Sequence, residues 1–191
     1  MYVLLRNLYI DSCPHNSRSS AHTAMSGSSA GRYLIFVYGT LKTGQPNHYL
    51  FTDSTFSKGT ATLLGTGETS EKYPLVVSSD NHLPFLLRAD GRGENVEGEI
   101  YEIDGPKLDW LDEFESHPDF YRRELTDIRL KDGTVHFCDK GITAGGVCEC
   151  WVYFLSEYKP EMLLLKMLKS YSSWSPDHLP YNERCEFFST Q

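Results

Sequence analysis

The feature that most constrains this chain is an unbroken apolar run, Tyr33-Leu34-Ile35-Phe36-Val37-Tyr38, stopped by Gly39. A strand with one face in water alternates apolar and polar residues, whereas consecutive aromatic and branched side chains need cover on both sides. The run predicts a strand buried on both faces and central in its sheet. Ala61–Gly65, Leu75–Ser78, Phe85–Arg88, Val96–Ile103, Arg122–Leu130 and Val147–Phe154 also read as strands, broken by turns such as Asp90-Gly91-Arg92-Gly93 and Lys131-Asp132-Gly133. Helices are expected at Asn47–Leu50, Pro106–Glu115 and Pro160–Ser170, each beside a proline that suits a first helical turn. Strands outnumber helices, and no repeat or heptad pattern appears.

Residues 1–32 differ in character from the rest of the chain. They are rich in serine, carry Arg6, Arg18 and Arg32, and include a single acid, Asp11. Such a stretch buries little surface and reads as a disordered or targeting N-terminal extension; its bias is that of a mitochondrial transit peptide, and Met25 offers a second start. One domain is expected over residues 33–185, followed by a short tail at 186–191. Eighteen Lys and Arg against 26 Asp and Glu give a net charge of −8, which leaves no broad basic surface for phosphates. Nucleic acid is therefore excluded as a partner. A membrane is excluded too, because no apolar stretch approaches the roughly 20 residues of a bilayer span. The cysteine count of 5 is odd and includes no CxxC pair, which points to a reducing compartment, the cytosol, and to a monomer without a disulfide framework. Cys148 and Cys150 fall on one face of a strand as small core residues. The histidines form no HExxH or zinc-spaced cluster, so no metal is expected.

Three places carry chemistry. The first is the turn Tyr38-Gly39-Thr40-Leu41-Lys42-Thr43-Gly44-Gln45-Pro46-Asn47. A buried strand that runs into a glycine-bearing turn leaves successive backbone N–H groups unpaired, and a carboxylate or phosphate suits them. Gln45-Pro46 stands where a P-loop needs Lys-Ser/Thr, so a nucleotide does not fit. A plain strand-to-loop turn is the alternative. The second is the helix around Leu108–Glu115. At about 100° per residue, Asp109, Asp112 and Glu113 lie on one side, while Glu115 falls between Leu108 and Leu111 on the apolar side if the helix persists to its last turn. A carboxylate there loses hydration, and its pKa rises towards the range of general acid–base work. A structural pairing of Glu115 with Arg122 or Arg123 is the alternative. The third is the chain end, where Tyr171–Trp174 and Leu179–Arg184, including Tyr181 and Asn182, would line a pocket mouth or cover a sheet edge.

Taken in series, Tyr38-Gly39-Thr40-Leu41-Lys42, Gly44-Gln45-Pro46-Asn47-His48, Tyr73-Pro74-Leu75, Val96-Glu97-Gly98-Glu99, Leu111-Asp112-Glu113-Phe114-Glu115, Tyr121-Arg122-Arg123 and Tyr181-Asn182 resemble the amine-preferring branch of the γ-glutamylcyclotransferase (AIG2-like) family. The resemblance covers roughly Tyr33 to Arg184. It implies an α+β fold, a compact mixed β-barrel with a few short helices. It also implies a cofactor-independent lyase in which Tyr38, Gly39, Thr40 and Leu41 bind the substrate's α-amino-acid end and Glu115 transfers protons, with Tyr121, Tyr181 and Asn182 as candidate pocket lining. The implied reaction is attack of the α-amino group of a γ-glutamylamine, chiefly γ-glutamyl-ε-lysine from degraded transglutaminase cross-links, on its own γ-carbonyl to give 5-oxoproline and free amine. Cyclisation of γ-glutamyl α-amino acids or glutathione is the nearest alternative, and a non-catalytic binder of amino-acid metabolites is the alternative of another class. The segment Asp139–Cys150 carries no motif of the family.

Overall fold

The computed structural model describes residues 31–78, 82–131, 134–137 and 140–181. Of the extension expected at 1–32, residues 1–30 lie outside them, as do the residues from Asn182 onward and the boundary at 185/186, while Arg32 is the first residue of a strand. In chain order the elements are β1 (Arg32–Val37), α1 (His48–Thr52), β2 (Ala61–Thr69), β3 (Leu75–Ser78), β4 (Leu83–Leu86), β5 (Glu97–Asp104), α2 (Gly105–Phe114), β6 (Tyr121–Leu130), β7 (Thr134–Phe137), β8 (Lys140–Thr143) and β9 (Val147–Leu155), then a 3-10 turn at Pro160–Leu164.

Five strands close into a barrel in the order β1-β5-β2-β6-β9, and β3-β4 and β7-β8 form separate hairpins. All barrel neighbours pair antiparallel except β1 and β9, which meet in parallel at Ile35 and Trp151 and complete the ring. The α+β class and mixed barrel implied by the sequence are what the chain forms. β1 explains the continuous apolar run. Leu34 and Phe36 belong to one buried cluster with Ile100, Ile128, Cys150, Val152 and Phe154, while Ile35 and Val37 belong to a second with Phe51, Leu108, Leu111 and Tyr153. Successive side chains of a strand point to opposite faces, so the first cluster fills the barrel and the second lies outside its wall, under the helices and the β3-β4 hairpin. Closure leaves β1 bonded on both sides, by β5 and by β9. The wall is close where β5 crosses β1: a Cβ added to Gly98 would lie 2.5 Å from both the Phe36 ring and the Val37 carbonyl oxygen.

Several boundaries differ from expectation. β2 continues past Gly65 to Thr69 through a register shift between Leu63 and Gly65, and β4 starts at Leu83, ahead of Phe85. The expected helix Pro160–Ser170 is only the 3-10 turn, and this is a correction. Beyond it the chain runs extended, with the Leu168 N–H bonded to the Leu75 carbonyl at 2.7 Å and the Lys169 carbonyl accepting from Glu97 N–H at 2.8 Å. Pairing with these backbone groups outweighs the amphipathic spacing. The described helices are far too short to cross a membrane.

Helix α2 is set at both ends. At its start Asp104 accepts from Lys107 N–H at 3.0 Å, an N-cap, and its other oxygen accepts from the Thr60 N–H and hydroxyl. Pro106 fits the first turn, where its missing N–H costs nothing. At its end the His117 N–H reaches the Asp112 carbonyl at 2.8 Å and the Ser116 N–H reaches the Glu113 carbonyl at 3.2 Å. That is a Schellman cap, in which the residue after the C-cap turns left-handed. Ser116 does so at a φ of 53°, although it is not glycine.

Candidate active site

The chain leaves the barrel at the end of β1. Tyr38 is buried, and its hydroxyl donates to the Tyr153 carbonyl on β9 at 2.8 Å. The turn after it closes on its own carbonyls: Gly39 accepts from Lys42 N–H at 3.2 Å, Thr40 from Asn47 N–H at 3.0 Å, and Leu41 from the His48 ring at 2.8 Å. The side chain of buried Asn47 also donates to the Thr40 hydroxyl at 3.1 Å. The N–H groups of Gly39, Thr40 and Leu41 are left with no acceptor among the described residues. Three successive unpaired amides on a pocket wall are able to seat an anion.

This turn is clamped from outside. Lys42 Nζ donates to the Tyr171 carbonyl at 2.8 Å, Ser173 N–H to Gln45 Oε1 at 2.7 Å, and Trp174 Nε1 to the Gly44 carbonyl at 3.4 Å. The segment Tyr171–Trp174 is thus a strap over the turn. Gly39 is not in the left-handed region, and a Cβ there would meet Pro84 Cγ at 3.0 Å. Glycine at this position therefore serves the close approach of the β3-β4 hairpin, beyond the ligand access expected from the sequence.

One pocket gathers the end of β1 and its turn (Ile35 to Leu41), Leu83 and Pro84 of β4, Leu111 and Glu115 of α2, and Phe120, Tyr121 and Tyr153. Glu115 occupies the C-cap of α2 just after the last helical residue, with its N–H still bonded to the Leu111 carbonyl at 2.8 Å. It keeps the apolar side that the periodicity assigned to it. Burial alone pushes its carboxyl up to about 8, and no cation among the described residues offsets that cost. Neither arginine of the alternative reading reaches it: Arg123 pairs with Asp112 at 2.7 Å and Arg122 with Glu157 at 3.6 Å.

The hydroxyls nearby are kept neutral. Burial raises the Tyr38 hydroxyl, and the Glu115 charge adds to it. Tyr153 is raised by burial first, then by its 2.7 Å bond to Asp112 and by the charges of Asp112 and Glu115. Tyr121 lies in the pocket wall, its ring stacked on Phe85 with centroids 6.2 Å apart. Tyr181 is not in that wall; it packs against the outer cluster and donates its N–H to the Ser173 hydroxyl at 3.0 Å. Asn182 lies outside the described residues. Tyr153, Phe120 and Pro84 belong to the pocket and were not named from the sequence. Tyr153 carried a signal, because alternation along Val147–Phe154 puts Cys148, Cys150 and Val152 on one face and this polar-tipped ring on the other.

A single isolated carboxyl with a raised pKa, lining the same largely apolar pocket as the free amides, can take a proton from an amine whose carboxylate is held by the amides. Among the described residues no group of three or more His, Cys, Asp or Glu is placed to hold a metal ion. Comparison with known proteins places the pocket in context. A family model described as "Gamma-glutamyl cyclotransferase, AIG2-like" matches residues 35–175. The chain is 42% identical to a gamma-glutamylaminecyclotransferase of Rattus norvegicus over 78% of this chain and 96% of that one. It is 39% identical to the Homo sapiens gamma-glutamylaminecyclotransferase over 79% and 97% of the two. The crystal structure of an AIG2-like protein from Mus musculus superposes with a TM-score of 0.71 at 38% identity, covering 82% of this chain and 99% of the other.

Proposed function

The chain belongs to the AIG2-like gamma-glutamyl cyclotransferase family, and we propose that it is a cofactor-independent gamma-glutamylaminecyclotransferase acting on γ-glutamyl-ε-lysine. The observation that carries this reading is the bare carboxyl of Glu115 across the pocket from the unpaired amides of Gly39, Thr40 and Leu41. The amides hold the substrate's α-carboxylate, and Tyr38 anchors their turn to β9. That places the α-ammonium beside Glu115, where the incoming positive charge favours the ionised carboxylate. Glu115 removes a proton, the α-nitrogen bonds to the γ-carbon, and the bond from that carbon to the amine nitrogen breaks. Two protons leave the α-nitrogen in all and two arrive on the departing amine, so the products are 5-oxoproline and lysine with no net proton consumed. One carboxyl serves both directions of transfer. Because nucleophile and electrophile share a molecule, holding the folded conformer is the larger part of the work.

Among the described residues the pocket lining comes from a single chain, which supports action as a monomer. The free thiols of Cys148 and Cys150, buried in the barrel, suit a reducing compartment such as the cytosol. The test is release of 5-oxoproline from γ-glutamyl-ε-lysine, γ-glutamyl-alanine and glutathione under identical conditions. A kcat/KM highest for γ-glutamyl-ε-lysine is expected. Preference for either of the others would overturn the substrate, and no release from any would overturn the enzyme reading in favour of a binding module.

A further inference from the structure

Asp112 lies one turn before Glu115 on α2, and neither the anion seat nor the proton transfer uses it. Its Oδ1 accepts two hydrogen bonds of 2.7 Å, one from Arg123 Nε on β6 and one from the Tyr153 hydroxyl on β9. The Arg123 guanidinium also lies over the Trp151 ring, 4.5 Å from its centroid. Tyr153 in turn holds the Tyr38 hydroxyl through its own carbonyl. One carboxylate therefore ties together α2, β6 and β9 and, through Tyr153, the start of the binding turn.

We propose that Asp112 is a positioning residue that holds Arg123 on the Trp151 side and the Tyr153 ring in the pocket wall, so that Glu115 shares its cavity with tyrosines and with no cation. The proposal rests on the reading of Glu115 as the proton-transfer group. Tyr38, just after β1, Tyr121 from β6 and Tyr153 from β9 line the pocket with Glu115; Asp112 and Glu113 precede it in the chain, His117 follows it, and Arg123 joins the set through its bond to Asp112. His117 is engaged elsewhere, its ring nitrogen near the Tyr121 carbonyl and accepting from Arg123 N–H, both at 3.3 Å. Arg123 is the permanent cation of the set, since a guanidinium does not give up its proton in a protein. Released from Asp112, it would favour the Glu115 carboxylate and shift proton transfer to lower pH. Left without Arg123, Asp112 would act on Glu115 as a like charge and shift it the other way.

The experiment follows the Glu115 side-chain carboxyl by carbon NMR in the substrate-free protein, alongside the pH profile of kcat/KM. Asp112→Asn is expected to move the Glu115 titration down by about one pH unit, Arg123→Gln to move it up, and the double variant to return it towards the wild type. Opposite signs that cancel are the mark of charge placement, which a merely structural role would not produce. Single variants that leave the titration in place, or move it in the same direction, would overturn the proposal. Should Asp112→Asn fail to fold, Arg123→Gln decides alone: an upward shift supports the proposal and an unmoved titration overturns it. The NMR titration needs no turnover, so a failure of the catalytic reading of Glu115 shows separately, in the activity assay.

Discussion

The two ends of helix α2 treat a buried charge in opposite ways. Near the start, Lys107 is 1% exposed, and its ammonium donates to the Phe51 carbonyl and the Ser57 hydroxyl, each at 2.6 Å. It also lies over the Phe51 and Trp110 rings, 5.4 and 5.3 Å from their centroids. At the other end Glu115 has burial and no compensating cation among the described residues. A buried charge costs several kcal/mol unless it is paired or bonded, so the first end has been satisfied and the second left expensive. On the proposed mechanism the difference separates a charge that holds the fold from one kept for chemistry.

The largest test of that contrast is Glu115→Gln, which keeps the shape and removes the basic oxygen. 5-Oxoproline release should fall by at least ~10²–10⁴-fold, the usual loss for one positioned acid–base group. A folded variant keeping more than about a tenth of the wild-type rate would end the mechanism. The same variant gives a stability check with a definite sign. The folded carboxyl titrates at about 8, above the value near 4.3 of an unfolded chain, so the wild type loses stability as pH rises between the two. The melting temperature of Glu115→Gln should match the wild type at about pH 4, exceed it increasingly towards pH 8, and keep a constant lead above that.

Next in size is Gly39→Val. Its side chain meets Pro84 and narrows the pocket at the amide seat, so KM should rise by roughly tenfold or more, the worth of one lost hydrogen bond to a charged group. Loss of folding, seen on the melting curve, would instead mean that glycine serves the packing of the β3-β4 hairpin on the turn. Lys107→Met tests the satisfied end. It takes the ammonium away from the Phe51 carbonyl, which keeps only its 3.2 Å bond from the Ser57 hydroxyl, and from the Ser57 oxygen, and should cost about 1–3 kcal/mol of stability by denaturant titration, while kcat stays within about twofold. A large fall in kcat at unchanged stability would erase the distinction between the two ends. The smallest effect is expected from Ser116→Gly. It relieves the left-handed strain in the cap, offset by greater freedom of the unfolded chain, so stability should rise by no more than about 1 kcal/mol. A clear destabilisation would assign the serine side chain a contact of its own.

Features decided by a few neighbouring residues were legible in the sequence. The run from Tyr33 to Tyr38 demanded cover on two faces and received it. The periodicity of α2 put Glu115 on the apolar side because one helix face is a local property. The Schellman cap that ends the helix one residue before Glu115 was not legible, because Ser116 in place of glycine hides the left-handed turn. The extended stretch at Leu168 and Lys169 reads as helix in the sequence because its partners, the Leu75 carbonyl and the Glu97 N–H, lie far away along the chain. The same holds for Tyr153: its ring was visible as a strand residue, but its bond to Asp112 exists only once the barrel has closed.

That closure has a consequence for biosynthesis. The anion seat hangs from β1, near the beginning of the described chain, yet the tyrosine that anchors it sits on β9 and the strap that clamps it comes later still. The pocket lining is not complete on a nascent chain until Tyr153 has emerged and β9 has docked beside β1, and the turn is clamped only when the segment through Trp174 follows. Contacts so distant in sequence form late and slowly, so β1, which pairs with β5 along one edge, keeps its other edge open until β9, the last barrel strand, arrives.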